Sequence, residues 1–295
     1  MVKFHGKRRW EIVPAVFSII TINLIGILLI YLMDSYMMLN LSKLVLIICN
    51  IFYIYNIGLW FTVNYSISDT EIKISAWGGL KKVIIPINSI LSYTVEEGKI
   101  KGIGLSGLFS NRFAVGRIAV KGLGTTRMFV TSSSRVIYIE TEELNYGISP
   151  SNSQVFEESL KQLNVKQGVW EKVYNKHTKF YKEKRFMIPI IISTISILCI
   201  TFGPILLYIT NKLPDVMPLT LSRNMTALEL GTDKQFAFSQ MTYGVLNMAV
   251  FFCMYYAAQF CAKYDKKSAY NYIYAAMMVA LVFLYLQIRL MTIKI

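Results

Sequence analysis

Long apolar runs and short alternating ones divide this chain. Five predominantly apolar stretches, at residues 13–33, 44–63, 187–210, about 237–261 and about 270–292, are each long enough to carry a helix across a hydrocarbon core of about 30 Å. The last two are interrupted by Gln240 and by Gln287 with Arg289, placed towards the ends of the runs, where polar groups reach an interface. Between the second and third runs the pattern changes to short β-branched segments separated by turn residues. About seven strands are predicted there, at 65–68, 71–77, 81–86, 90–96, 117–121, 127–130 and 136–141. In Glu71-Ile72-Lys73-Ile74-Ser75 polar and apolar residues alternate, so one sheet face is buried. Ser149 is placed to cap a closing helix, with Pro150 at its first position. Phe156, Leu160 and Leu163 then form one apolar stripe. The pattern predicts an α+β membrane protein: a five-helix transmembrane bundle with an inserted bent sheet or partial β-barrel, plugged by a C-terminal capping helix.

The domain boundaries follow. Residues 1–63 form a tail and helices one and two, 64–165 the β domain, and 166–186 a basic juxtamembrane segment. Residues 187–295 hold the last three helices, with a loop at 211–236. Composition supports a bilayer. Of the 295 residues 54% are hydrophobic and 16% charged, against a usual charged share of roughly 25%, and mean hydropathy is +0.45. A fully soluble or disordered chain is excluded. The first apolar run follows basic residues as a signal peptide would. It is too long for that role and lacks a small-residue cleavage site, so it reads as a retained helix.

Charge orients the helices. The net charge is +14, and 25 of the 31 Lys and Arg fall in the tail, in the insert or in the short loop after helix four. Positive residues mark cytoplasmic flanks. The N-terminus and β domain are therefore expected inside the cell membrane, with the C-terminus outside. Basic and aromatic residues interleave from Lys166 to Arg185, a mixture suited to anionic headgroups. Candidate lipid contacts are Lys81 and Lys82 in a hairpin and Lys179, Lys182, Lys184 and Arg185 beside helix three. The bilayer accounts for the charge, so no nucleic-acid partner is expected.

Chemistry-bearing clusters are sparse. Cys49, Cys199, Cys253 and Cys261 lie in or beside apolar runs and form no CxxC pair, and His5 and His177 have no nearby co-ligands. No metal, cofactor or catalytic residue is expected. Gly102-Ile103-Gly104-Leu105-Ser106-Gly107 spells a dinucleotide fingerprint, but no helix follows it, so a flexible loop is expected instead. No acidic residue lies mid-membrane, which leaves a proton relay without support. Asn23, Asn56, Gln240 and Asn247 are expected to join helices.

Two resemblances add to this reading. The stretches YSISDTEIKI, KGIGLSGLF and NYGISPSNSQVFEESLKQL resemble the bacterial pleckstrin-homology-like (PH-like) domain over about residues 60–165. The helix entry Ile148-Ser149-Pro150 is the most specific element. The likeness implies the domain fold and an interaction role, and it implies no catalytic residues. The segment NKLPDVMPLTLSRNMTALELGTDKQF is similar, over about 190–260, to a short domain of unknown function in bacterial membrane proteins. Immunity proteins against a sporulation-delay toxin are among them. Its candidate motif is Pro214, Asp215, Pro218, Gly231, Asp233 and Lys234. Thr220 stands where that family often has histidine, and a plain connecting loop is the alternative. The expected function is a non-enzymatic membrane protein with a cytoplasmic PH-like interaction module for membrane lipids, a protein partner or itself, in envelope stress or toxin immunity. A transporter component or a membrane-embedded enzyme is the alternative.

Overall fold

A computed structural model describes residues 2–7, 10–142, 144–168, 183–222, 224 and 226–292. Five helices in it are long and apolar enough to cross a membrane. The chain divides into two units, residues 1–23 with 47–175 and residues 24–46 with 176–295. Helices α1 (Val13–Leu32) and α2 (Tyr36–Thr62) each contribute to both.

The first unit is built on two open sheets. One has strand order β1-β2-β3-β4, from Val2–His5, Asn64–Ile67, Glu71–Ala76 and Lys81–Pro86. The other has order β5-β9-β10-β8-β7-β6. Its strands are β5 Ile90–Glu96, β6 Gly102–Ser110, β7 Phe113–Val120, β8 Gly124–Val130, β9 Val136–Thr141 and β10 Asn145–Ile148. All pairings are antiparallel except β10 with β8. Helix α3 (Ser153–Gln162) packs on the core through Phe156 and Leu160, both fully buried, with Leu163 partly buried beside them. The alternation in β3 buries Ile72 and Ile74 against Tyr65, Ile85 and Ile139.

Four expectations change here. The sheets neither form one bent sheet nor close into a barrel, and the described residues of the insert hold nine strands. The tail adds a tenth, β1, in which Val2, Lys3, Phe4 and His5 pair with Ile67, Ser66, Tyr65 and Asn64. Phe4 is buried, 5.2 Å edge-on to Phe156. A four-residue strand bounded by basic residues carries too little alternation to separate from a charged flank. The glycine-rich stretch forms β6, not a loop, because Gly107 (φ +88°) and Gly116 (φ +129°) face each other across the hairpin. A Cβ on either would lie 2.1 Å from an opposing carbonyl oxygen.

Ser149 is the fourth. It does not cap α3, whose N-cap position is Asn152. It is fully buried, and its hydroxyl accepts from the Thr131 N–H at 2.8 Å and shares a 3.1 Å bond with the Thr131 hydroxyl. Its carbonyl accepts from Lys7 N–H at 3.1 Å. The Ser149 N–H bonds the Tyr65 hydroxyl, which itself donates to the Phe129 carbonyl. Burial pushes Tyr65 up to about 12, so it stays a protonated donor at neutral pH. Trp60 of α2 donates to the Thr131 carbonyl at 3.1 Å. One serine thus ties the tail, β2, β8 and β10 together, and Thr131 ties that knot to α2. Pro150 bridges to Gly6 instead of opening a helix.

Asn23 behaves as expected. It exchanges two 2.9 Å amide bonds with Asn50 of α2, a pairing suited to apolar surroundings. Asn56 bonds back to the Phe52 carbonyl of its own helix at 2.8 Å.

In the second unit α4 (Lys184–Ile209), α5 (Asp233–Ala262) and α6 (Lys266–Thr292) pack on one another. Small residues permit close approach. A Cβ on Gly244 of α5 would fall 2.1 Å from the Thr201 hydroxyl of α4. Ala269, Ala276 and Ala280 line the buried face of α6. Gln240 and Gln287 do not reach an interface: both are buried, and Gln287 donates to the Ile200 carbonyl at 2.9 Å. Helix α4 continues through Pro189 and Pro204. Between α4 and α5 the strands β11 (Val216–Leu221) and β12 (Ala227–Thr232) pair antiparallel, so this segment is not a plain loop.

Two outcomes follow from the first unit. Ser149→Ala strands the buried Thr131 N–H and is expected to cost about 1–3 kcal/mol, with faster hydrogen exchange at Thr131 and Ser132 in the full chain. Unchanged exchange there would contradict the knot. The second concerns Glu157 on α3, which pairs with Lys161 at 3.0 Å and Arg135 at 2.6 Å. Lys161 and then Arg135 hold its carboxyl below the usual range against the opposing effect of burial. A lowered folded value means stabilisation present above about pH 4.3, the unpaired glutamate value, and lost as pH falls through the folded value. Acid unfolding of Glu157→Gln should therefore show a shallower pH slope than the parent chain.

Candidate functional site

The first unit brings two loops to the apolar helices. The β3–β4 connection is the first. Trp77, Gly78 and Gly79 all take positive φ, which reverses the chain and leaves Leu80 92% exposed. The Trp77 N–H donates to the Thr62 hydroxyl at 2.9 Å. Its ring stacks on Tyr55 at 6.5 Å and 14°. Gly58 makes room, since a Cβ there would lie 2.0 Å from that ring. Lys81 donates to the Tyr55 hydroxyl at 2.5 Å and sits 4.9 Å from its ring centroid. Tyr55 lies seven residues before the end of α2, about 10 Å along its axis. The loop is thus fastened beside an apolar helix, with Lys82 exposed.

The β6–β7 hairpin tip is the second. Phe113 is buried with Ile12, Ala15, Leu59 and Trp60, so the tip is anchored to the start of α1 and the end of α2. Backbone bonds hold its shape: Ile100 donates to the Asn111 carbonyl at 2.8 Å and Ser133 to the Arg112 carbonyl at 2.7 Å. Beside it opens a cleft of about 580 Å³, lined by Lys99, Ser110 and Arg112 from the domain and by Pro14, Ser18 and Tyr53 from the helices.

The remaining candidates fall elsewhere. Lys184 and Arg185 are the exposed first residues of α4, while Lys179 and Lys182 lie outside the described residues. Glu183, just before α4, accepts from Lys266 at 2.9 Å and from the Tyr270 hydroxyl. The bond from Tyr270, followed by that from Lys266, holds the Glu183 carboxyl below its usual range. In the second unit's hairpin, Pro218 pairs with Leu230 and Met217 with Gly231. Pro214 and Asp215 are exposed in the preceding turn. Thr232 and Gln235 form a capping box at the start of α5, and the Asp233 carboxylate accepts from the Lys234 N–H at 2.7 Å. The Gly231-Thr232-Asp233-Lys234 stretch is thereby accounted for as a helix entry. Among the described residues no three of His, Cys, Asp and Glu gather to hold a metal.

Sequence reasoning missed Tyr55, Trp77, Leu80, Lys99 and Arg112. Trp-Gly-Gly-Leu-Lys-Lys at 77–82 carried a signal, since an apolar residue between turn glycines and lysines has no core to enter. Lys99 and Arg112 carried none, because their closeness depends on the β6–β7 pairing.

Comparisons with known proteins identify the domain. Residues 63–164 match the family described as bacterial PH domain, a range that leaves out β1 and does not reach residues 190–260. No solved structure matches the chain. An uncharacterised protein of Clostridium acetobutylicum is 34% identical over 257 residues, covering 86% of each chain. The chain belongs to the family of that clostridial protein, and its residues 63–164 are a bacterial PH domain.

Proposed function

We propose that this is a non-enzymatic multi-pass membrane protein that holds its PH domain against the inner face of the cell membrane as an interaction module. The observation that carries this reading is the pairing of β1 with β2. The domain is thereby completed from both sides of the α1–α2 helix pair, which favours a fixed mount over a tethered one. The same pairing favours one side of the membrane for the start of α1 and the end of α2, and the basic tail and insert favour the cytoplasm for that side. The C-terminus is then outside after five crossings.

Two sheet edges are open to a protein partner or a second copy. The β4 and β6 strands end their sheets, with Ile84 53% and Ile103 59% exposed. Unpaired strand edges accept an added strand. The β5 edge is covered instead, because Tyr93 exchanges backbone bonds with Lys166 and Gly168 at 3.0 Å each. A narrower role in envelope stress or toxin immunity rests only on the likeness of residues 190–260, with the β11–β12 hairpin as its outward surface.

The test places a photo-crosslinking residue at Ile84, at Ile103 or at the fully buried Ile72 of the full chain in cells. A protein adduct at either edge, absent at residue 72, is the expected result. Adducts at neither edge would overturn the interaction role. A reporter fused at residue 100 should read as cytoplasmic, and one reading outside would overturn the orientation.

A further inference from the structure

The cleft beside the β6–β7 tip joins two kinds of surface. Its domain side supplies Lys99, Arg112 and the Ser110 hydroxyl, and its helix side supplies Pro14, Ser18 and Tyr53. Lys99 and Arg112 are exposed, and among the described residues neither forms an ion pair with a carboxylate. Ser18 lies five residues into α1 and Tyr53 nine residues before the end of α2, about 8 and 14 Å along the two axes. One wall of the cleft, lined by Pro14, Ala15, Ser18 and Tyr53, thus belongs to two helices long and apolar enough to cross a membrane. A volume near 580 Å³ falls in the usual range of ligand pockets, roughly 300–1,000 Å³.

We propose that this cleft binds one anionic phospholipid, its phosphate held by Lys99 and Arg112 between the hairpin tip and the α1–α2 pair and its acyl chains running along the helix wall. The inference rests on the reading that α1 and α2 span the bilayer. Charge selects the headgroup: two cations that pair with no carboxylate among the described residues attract a phosphate, and a guanidinium offers it a two-pronged donor. A net negative lipid satisfies both cations, whereas a zwitterionic one brings its own ammonium. The helix wall selects a lipid over a soluble phosphate, because both helices that form it are apolar enough to continue into the bilayer, where acyl chains can follow them. The site differs from the Lys81–Lys82 hairpin, where Lys81 is already engaged by Tyr55.

The test uses the full chain in mixed micelles with equal phosphatidylglycerol and phosphatidylcholine, and measures bound lipid by native mass spectrometry. Phosphatidylglycerol should be retained preferentially by the parent. The K99E/R112E chain should lose that preference by roughly thirtyfold or more, as expected for two basic residues near an anionic surface. Lys121→Glu, in the exposed β7–β8 turn, should keep it. Millimolar glycerol 3-phosphate should not displace the lipid. Equal retention of both lipids by the parent, unchanged preference in K99E/R112E, or displacement by glycerol 3-phosphate overturns the proposal. Should K99E/R112E lose protease protection of the domain, K99Q/R112Q takes its place, and the preference must still fall. Release of the parent chain from membranes by alkaline carbonate would instead sink the spanning reading, and with it the premise of the site.

Discussion

A buried knot of hydrogen bonds around Tyr65, Thr131 and Ser149 joins the two sheets of the first unit and the end of α2. Every strand near that joint must pair its backbone groups away from water, because a buried orphan costs as much as several good contacts return. The serine meets this constraint with its N–H, carbonyl and hydroxyl together. Neighbouring backbone extends the joint: Ser151 donates to the His5 carbonyl at 2.9 Å, and Gly6 of the tail to the Val63 carbonyl at 3.3 Å. The tail before α1 and the strand after α2 are therefore parts of one hydrogen-bonded body.

That joint sets what the domain can do. A module joined to a helix by a loose linker samples many orientations. Here β2 starts two residues after α2 ends, and the helix end is itself sewn in by Trp60. Leu80, Lys81 and the β6–β7 tip are consequently held at fixed positions along the helices. Their chemistry matches those positions: an exposed leucine, a lysine bonded to a helix tyrosine, and two cations beside the helix pair. The edges of β4 and β6 are left for other chains.

Much of this architecture is legible in the sequence, and the exceptions share a cause. The long helices are readable because twenty apolar residues have few other uses. Strands β3, β4, β5 and β9 are readable from β-branched runs and turn glycines. The edge strand β1 is not, because its partner lies some sixty residues away and four residues carry no period. The β6–β7 pair is hidden by its glycines, which permit close backbone approach across the hairpin but resemble a loop in one dimension. Ser149 shows the same limit more sharply. Its spacing before a helical stripe suits a cap, yet tertiary partners just after β8 and on β2 take its hydroxyl and N–H first. Lys99 and Arg112 become a pair only once the hairpin is folded, so no local pattern could have joined them.

The pairing of the tail with the strand after α2 is the point on which the whole account turns. Gly6 donates to the Val63 carbonyl, so alternation makes Lys3 and Ser66, partners in the register, a pair without mutual hydrogen bonds, the closer kind in an antiparallel ladder. Cysteines at those two positions in the full-length protein, oxidised in native membranes, should form a disulfide readily, while cysteines at Lys3 and Ser75 should not. Failure of the first pair to crosslink, with the chain intact in the membrane, would contradict the clasped domain.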